Sequence, residues 1–406
     1  MTKRLYHDSA YHTTFESQIV DRKEAEDRLG IVLEETLFYP DCGGQPHDLG
    51  ALNGIPLLAV EEDEKDTIVH WFPSEAQLPD DKIHGEIDWV RRFDHMQQHT
   101  GQHILSQAFV QTLDKDTVGF HLSAAYSTID LNTDSLTPEQ LAHAETLANQ
   151  IVYENRQVLT SFVDDVQVKE LPLRKAPSVS GTIRIVNIEG FNWSACGGTH
   201  VARTGAVGII KVVRLEHRGS ETRITFLCGK RALAHYDSLT KLTDNLARQF
   251  SVGVDELLDS IERLQNLART DRKKKEDLQQ QLLDLEAQAL RTRRRKTGAI
   301  SLVTQVFEGR TQDEVREIAK RLVSEPATIA LLGILPATDK SQVERKARVV
   351  FARSDDIDQN MRELLNTVCQ LVSGGGGGSP DLAQGGGIPE TRLDEAIAQA
   401  VEWLHL

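Results

Sequence analysis

The chain is poor in cysteine, with Cys42, Cys196, Cys228 and Cys369 alone in 406 residues. That is too few for a disulfide framework and suits a reducing compartment, where a thiol is free to hold a metal. Long apolar runs are missing too. The strongest, such as Ile329 to Leu335, fall far short of the roughly 20 residues needed to cross hydrocarbon, so no membrane span is expected. The opening MTKRLYHDSAYHTTFES has a basic pair with no apolar stretch behind it, which argues against a secretory signal and for a cytoplasmic protein. Positive charge is in overall deficit. With 46 basic against 61 acidic residues the net charge is -15, so the molecule is no polycation and any nucleic-acid contact must be local.

A hydrophobic fraction of 39% with 28 glycines excludes global disorder. At roughly 100–200 residues per domain the length allows two to four domains. Up to about Val90, short alternating pieces such as GIVLEETLFY and TIVHWF sit between Asp, Gly, Pro and Asn, the pattern of strands and turns. From Arg91 the spacing turns helical, with Phe93, Met96, Ile104, Leu105, Ala108 and Phe109 able to share one face. Strands are expected in GFHLSAAYSTIDL, TIRIVNI, AVGIIKVVRLE and ETRITFLC, with a helix after Thr137-Pro138-Glu139.

Between Leu233 and Lys296 proline is absent and glycine nearly so, while Leu257, Ile261, Leu264, Leu278, Leu282, Leu285 and Ala289 keep helical spacing. This predicts a helical hairpin or coiled-coil arm. Beyond it AISLVTQVF, TIALLGIL and ARVVFAR read as strands among the helices EVREIAKRLV and NMRELLNTVCQLV. The expected fold is multidomain α+β: a β-rich, barrel-like domain over 1–90, an α+β zinc-binding core over 91–235, a long helical arm over 236–296 and a small α/β domain over 297–406.

The chemical signal is His95, His99 and His103 at four-residue spacing, which stacks them on one side of a helix. A second cluster follows at Cys196-Gly197-Gly198-Thr199-His200, where thiol and imidazole lie four apart on a glycine turn. Imidazole with thiolate suits Zn²⁺ far better than Mg²⁺ or Ca²⁺. His99, His103, Cys196 and His200 are therefore the candidate metal ligands, one ion per chain, and also the candidate catalytic residues. His95 is left as a contact to a ligand or substrate, or as a packed core residue. The run Gly374 to Gly378 lacks the GK[ST] of a phosphate loop, so ATP binding is not expected and close approach to an RNA backbone is the better idea. Basic charge collects at Arg269–Lys275 and Arg291–Lys296, a solvated helix face or a nucleic-acid contact.

Taken in order, TLFYPDCGGQPHDLG, RFDHMQQHTGQHILSQ, GFHLSAAYSTIDL, IEGFNWSACGGTHVARTGAVGIIKV, FLCGKRAL and GGGGGSPDLAQGGG resemble the free-standing, long-type alanyl-tRNA editing proteins, related to the editing and C-terminal parts of alanyl-tRNA synthetase. The resemblance covers nearly the whole chain. It implies zinc at His99, His103, Cys196 and His200, and hydrolysis of serine, and sometimes glycine, from mischarged tRNA for alanine. It points to Thr36 as the partner of the serine hydroxyl, with Gly43, Gly44 and Gln45 as pocket or turn residues. Cys42 stands where the family often carries a smaller residue and is not counted as a ligand. An RNA substrate favours phosphate contact by Arg272, Lys273, Lys274, Lys275, Arg293, Arg294 and Arg295, and a homodimer through the arm or the C-terminal domain fits the same picture.

No Ser/His/Asp triad or paired-carboxylate motif is evident in the metal segment, and the DHH motif of phosphoesterases is absent. Four protein donors would close a tetrahedral zinc. Either one ligand yields, the ion expands its coordination, or zinc orients the RNA end while another group handles water. The rivals are a deacylase for another mischarged pair, such as serine on tRNA for threonine, and a non-catalytic zinc-stabilised RNA-binding module.

Overall fold

A computed structural model describes residues 2–25, 27–79, 82–177, 179–337 and 345–404, in two compact units that meet in sequence at Gln249 and Phe250. Strand alternation builds the start of the first unit. In Lys82–Ile87, Ile83, Gly85 and Ile87 turn inward while Lys82, His84 and Glu86 face solvent. Seven antiparallel strands assemble in the order Ile55–Pro56, Gly50–Leu52, Lys82–Ile87, Thr14–Ala25, Arg28–Leu33, Ile68–Pro73 and Ala59–Glu62. The long strand Thr14–Ala25 gives its first half to Lys82–Ile87 and its second to Arg28–Leu33, with a register shift between Ile19 and Asp21. The sheet bends there but does not close. Among the described residues its two edge strands remain unpaired with each other, which corrects the expected barrel-like form to an open, bent sheet. The edges are short, and Pro56 has no N–H to offer a further strand.

Helix α1, Trp89–Leu113, begins where the Asp88 carboxylate accepts from Arg91 N and ends at Asp114 in the left-handed region. The apolar stripe read from the sequence is its buried face: Met96, Ile104, Leu105, Ala108 and Phe109 are inaccessible and Phe93 packs beside them. Helix α2, Pro138–Tyr153, opens with a capping box between Thr137 and Gln140 and proline in its first turn. Both helices share a core with the four-stranded antiparallel sheet Thr117–Leu122, Ser127–Leu131, Glu221–Cys228 and Ile210–Arg218. A three-stranded sheet, Val158–Val163, Ile183–Ile188 and Asn192–Ala195, leads into the cysteine loop. One buried ion pair joins the N-terminal strands to α1: the Arg92 guanidinium grips Asp48, both side chains wholly inaccessible. Helix α3, Gly229–Phe250, is the last element of this unit in sequence.

The second unit begins with α4, Leu257–Thr292, a helix of 36 residues and about 54 Å. Its buried face near the C-terminus is Leu283, Ala287 and Leu290, packed with α5, Gln312–Val323. Leu264, Leu278, Leu282 and Leu285 of the expected stripe are exposed instead. Six strands follow in the order Arg295–Thr297, Ile300–Glu308, Thr328–Leu335, Lys346–Arg353, Leu382–Pro389 and Gly375–Gly378. Strand Thr328–Leu335 sends Ile329 and Leu331 to one core, shared with α6 (Met361–Leu371) and α7 (Leu393–Trp403), and Ala330, Leu332 and Ile334 to the α4–α5 core. The glycine run is an edge strand rather than an open loop. A Cβ at Gly376 would fall 2.7 Å from Leu365 Cδ2, so glycine there lets α6 lie close.

Candidate metal centre

Two secondary-structure accidents bring the four donors together. Four-residue spacing puts His99 and His103 on the same side of α1, and the strand ending at Ala195 delivers the CGGTH loop beside them. His99, His103, Cys196 and His200 then offer one ligand atom each, all within 4.8 Å of one another. Cys196 Sγ lies 3.4 Å from both His99 Nε2 and His200 Nε2. Donors sharing a tetrahedral zinc at ordinary bond lengths stand about 3.5 Å apart, which these two separations match. His103 Nδ1 is buried without a hydrogen-bond partner.

The bonds around the cluster fix its chemistry. Thr199 N–H can only donate, so the Gln45 atom 3.2 Å from it is the amide oxygen, and Gln45 Nε2 donates to Thr199 Oγ1 at 3.0 Å. That same oxygen lies 2.8 Å from His99 Nδ1, which must therefore carry the proton and leave the Nε2 lone pair free. Thr100 Oγ1 accepts from Val201 N at 3.2 Å and meets His200 Nδ1 at 3.1 Å, which orients the second imidazole. Arg184 donates to the carbonyls of Cys196 and Gly198 at 2.8 and 2.9 Å, and the His7 ring lies 3.2 Å from the Gly197 carbonyl. Burial keeps the imidazoles neutral, with His99 lowered to about 3 and His103 and His200 well below their usual value. Burial raises the Cys196 thiol, against the Gly198 N–H, Arg184 and Arg174, which favour its thiolate.

The two loop glycines differ. A Cβ at Gly198 would sit 2.2 Å from His99 Cε1, whereas one at Gly197 would meet nothing within 4 Å. Gly198→Ala is thus expected to weaken zinc binding at least tenfold in competition with a chelating dye, with Gly197→Ala near wild type. Equal affinities would show that the loop yields freely.

The other expected residues divide. Gly43 and Gly44, at φ 58° and 80°, form a two-residue turn closed by mutual Cys42 and Gln45 backbone bonds at 3.0 and 3.2 Å. That turn delivers Gln45, fully buried, to His99. Thr36 is also buried, bonded to His70 Nε2 at 2.9 Å and accepting from Phe38 N at 3.1 Å. His70 is held neutral, lowered to about 4 by burial, and its Nδ1 faces the Ile31 carbonyl at 2.9 Å. Nδ1 therefore carries the hydrogen, the Thr36 hydroxyl donates to Nε2, and one Thr36 lone pair stays free. His95 is buried with its Nδ1 unpartnered, outside the four-donor set. Cys42 is exposed. In the second unit Arg272, Lys273, Lys274, Lys275, Arg293, Arg294 and Arg295 are exposed, Arg272 pairing with Glu276 at 3.1 Å and Arg294 with Glu325 at 2.7 Å. The residues that sequence reasoning did not assign are Arg184, His7, Thr100 and Thr199; only the two threonines carried a signal, by adjoining donors in HTGQH and GGTH.

Two family models match: the threonyl and alanyl tRNA synthetase second additional domain over residues 183–225, and the DHHA1 domain over 299–406. The chain is 31% identical over 420 residues to the alanyl-tRNA editing protein AlaX-L of Pyrococcus horikoshii, covering 100% of this chain and 99% of that protein. It is 30% identical to the alanine–tRNA ligase of Pyrococcus abyssi across 99% of its own length, but spans only 44% of that enzyme. The alanyl-tRNA editing protein Aarsd1 of Danio rerio is 32% identical over 61% of each chain.

Proposed function

The chain belongs to the alanyl-tRNA editing proteins, and from that premise we propose that it is a trans-acting hydrolase that deacylates mischarged tRNA for alanine. The observation that carries the reading is the convergence of three imidazoles and a thiol, with one imidazole oriented by Gln45. We take the metal to be zinc, one ion per chain. When bound, it would supply Lewis-acid polarisation or a water acidified toward pKa of about 7. The chain's own part is to hold His99 in a fixed tautomer through Gln45, to orient the His200 ring through Thr100, and to leave open space beside Gly197.

Serine is the chief substrate in this reading and glycine a second one. The free lone pair of Thr36 supports serine, because it can accept from a serine hydroxyl and would go unmet by alanine; glycine, which has no hydroxyl, draws no support from it. A site built around such a bond discriminates by about 10⁴ or more. Gly43 and Gly44 would shape the pocket wall and Gln45 its floor. The exposed basic residues of α4 and its C-terminal end would meet RNA phosphates, and the exposed Leu264, Leu278 and Leu285 would serve a pairing of two copies. No described helix is long and apolar enough to cross a membrane, in keeping with the cytoplasmic setting we propose.

The test is release of amino acid from serine-charged and alanine-charged tRNA for alanine, beside metal analysis of the isolated protein. Rapid release from the first alone, with close to one equivalent of zinc, is the expected result. Binding of the RNA without release from either would make the protein a non-catalytic module.

A further inference from the structure

Between the first turns of α1 and α3 lies a cleft of about 370 Å³ that includes Asp88, Arg91, Asp94, His95, Lys230 and Arg231 in its lining. Those three cations and two carboxylates leave the cleft at +1 in a chain whose net charge is -15. Both carboxylates are engaged. Asp94 accepts from Arg231 Nε at 2.9 Å and Nη2 at 2.6 Å, and Asp88 caps α1. Lys230 has no carboxylate partner among the described residues.

Two features of the cleft are unfavourable as they stand. His95 is 1% exposed and its Nδ1 has no hydrogen-bond partner, a state that costs about 1–3 kcal/mol. Lys230 and Arg231 occupy the first turn of α3, where the helix dipole already presents positive charge; Asp94 offsets Arg231, while that turn holds no acidic residue of its own to offset Lys230. A single group that is anionic and rich in acceptor oxygens relieves both. Burial, Arg91 and Arg231 hold the His95 ring neutral, lowered to about 3, so it can donate one hydrogen bond without adding charge.

We propose that this cleft binds a phosphodiester of the RNA strand leading to the aminoacylated 3′ end, with Lys230 as the cation and His95 Nδ1 as the hydrogen-bond donor. The proposal rests on the editing reading for its choice of RNA. His95 precedes His99 by one turn, about 6 Å along α1, so the cleft adjoins the place where the ester would be cut. A phosphodiester carries one negative charge and matches the cleft's +1, whereas a free phosphate carries closer to two.

The experiment is fluorescence anisotropy of uncharged tRNA for alanine against wild type, Lys230→Ala and Lys230→Arg over a salt series. Lys230→Ala is expected to flatten the slope of log Kd against log salt by about 0.7, the value for one contact to a single strand, which is about fivefold weaker binding at 0.1 M. Lys230→Arg should recover most of that loss. With a transcript lacking its last three nucleotides, wild type and Lys230→Ala should bind alike. An unchanged slope, an undiminished difference on the shortened transcript, or millimolar inorganic phosphate erasing the difference on both transcripts would each overturn the proposal. A wild type that shows the expected slopes yet releases no serine would defeat the editing reading and leave the cleft assignment standing.

Discussion

Cys196→Ala is expected to lose serine release by about 10³-fold or more, roughly 4 kcal/mol of barrier, while remaining folded. The thiolate is the one anionic donor of the set, and without it a divalent ion would sit among three neutral imidazoles in a largely buried site. Bound zinc should fall from near one equivalent to a small fraction. The fold should survive because Cys196 is only half-buried and its loop is held by Arg184 through the carbonyls of Cys196 and Gly198. Circular dichroism and melting temperature check the fold, and Cys369→Ala, a thiol of the other unit, controls for thiol loss in general. A Cys196→Ala protein that keeps its rate within tenfold of wild type would remove the cluster from the chemistry.

The second large effect is on stability. Arg92 and Asp48 are both inaccessible, and each also serves the backbone: Arg92 donates to the carbonyls of Ala10 and Leu37, and Asp48 accepts from Tyr39 N at 2.6 Å. Removing one partner strands the other charge, so Arg92→Ala or Asp48→Ala should each cost about 3–5 kcal/mol. At about 2–4 °C per kcal/mol for 150–250 residues, a melting shift on the order of 10 °C is expected. The paired replacement Arg92→Met with Asp48→Leu should cost less than either single change, because no charge is left unpaired. Single losses under about 1 kcal/mol would show that water reaches this pair.

What could be read from the sequence was local. Four-residue spacing gave the histidine helix and its donors, and Thr137-Pro138 gave the start of α2, because each signal lies within one or two turns. The face that α4 buries was not legible: the stripe with Leu278, Leu282 and Leu285 and the stripe with Leu283, Ala287 and Leu290 both have helical spacing, and only tertiary packing with α5 selects the second. Openness of the N-terminal sheet was hidden for a similar reason, since closure depends on whether edge strands far down the pairing order meet. Gln45 was picked out through the family resemblance as a pocket or turn residue. Its actual bond, to a histidine 54 positions away, leaves no trace in spacing or composition.

Because the Gln45 amide reaches His99 and Thr199 at once, the glycine turn, the histidine helix and the cysteine loop form a frame in which no leg can be exchanged alone. Grafting the HTGQH and CGGTH segments onto another scaffold would carry over every donor and leave behind the group that decides which nitrogen of His99 is free. The donors are portable as letters but not as a site. The smallest transferable piece of this centre runs from the turn at Cys42 to the loop at His200, and its parts are bound to change together.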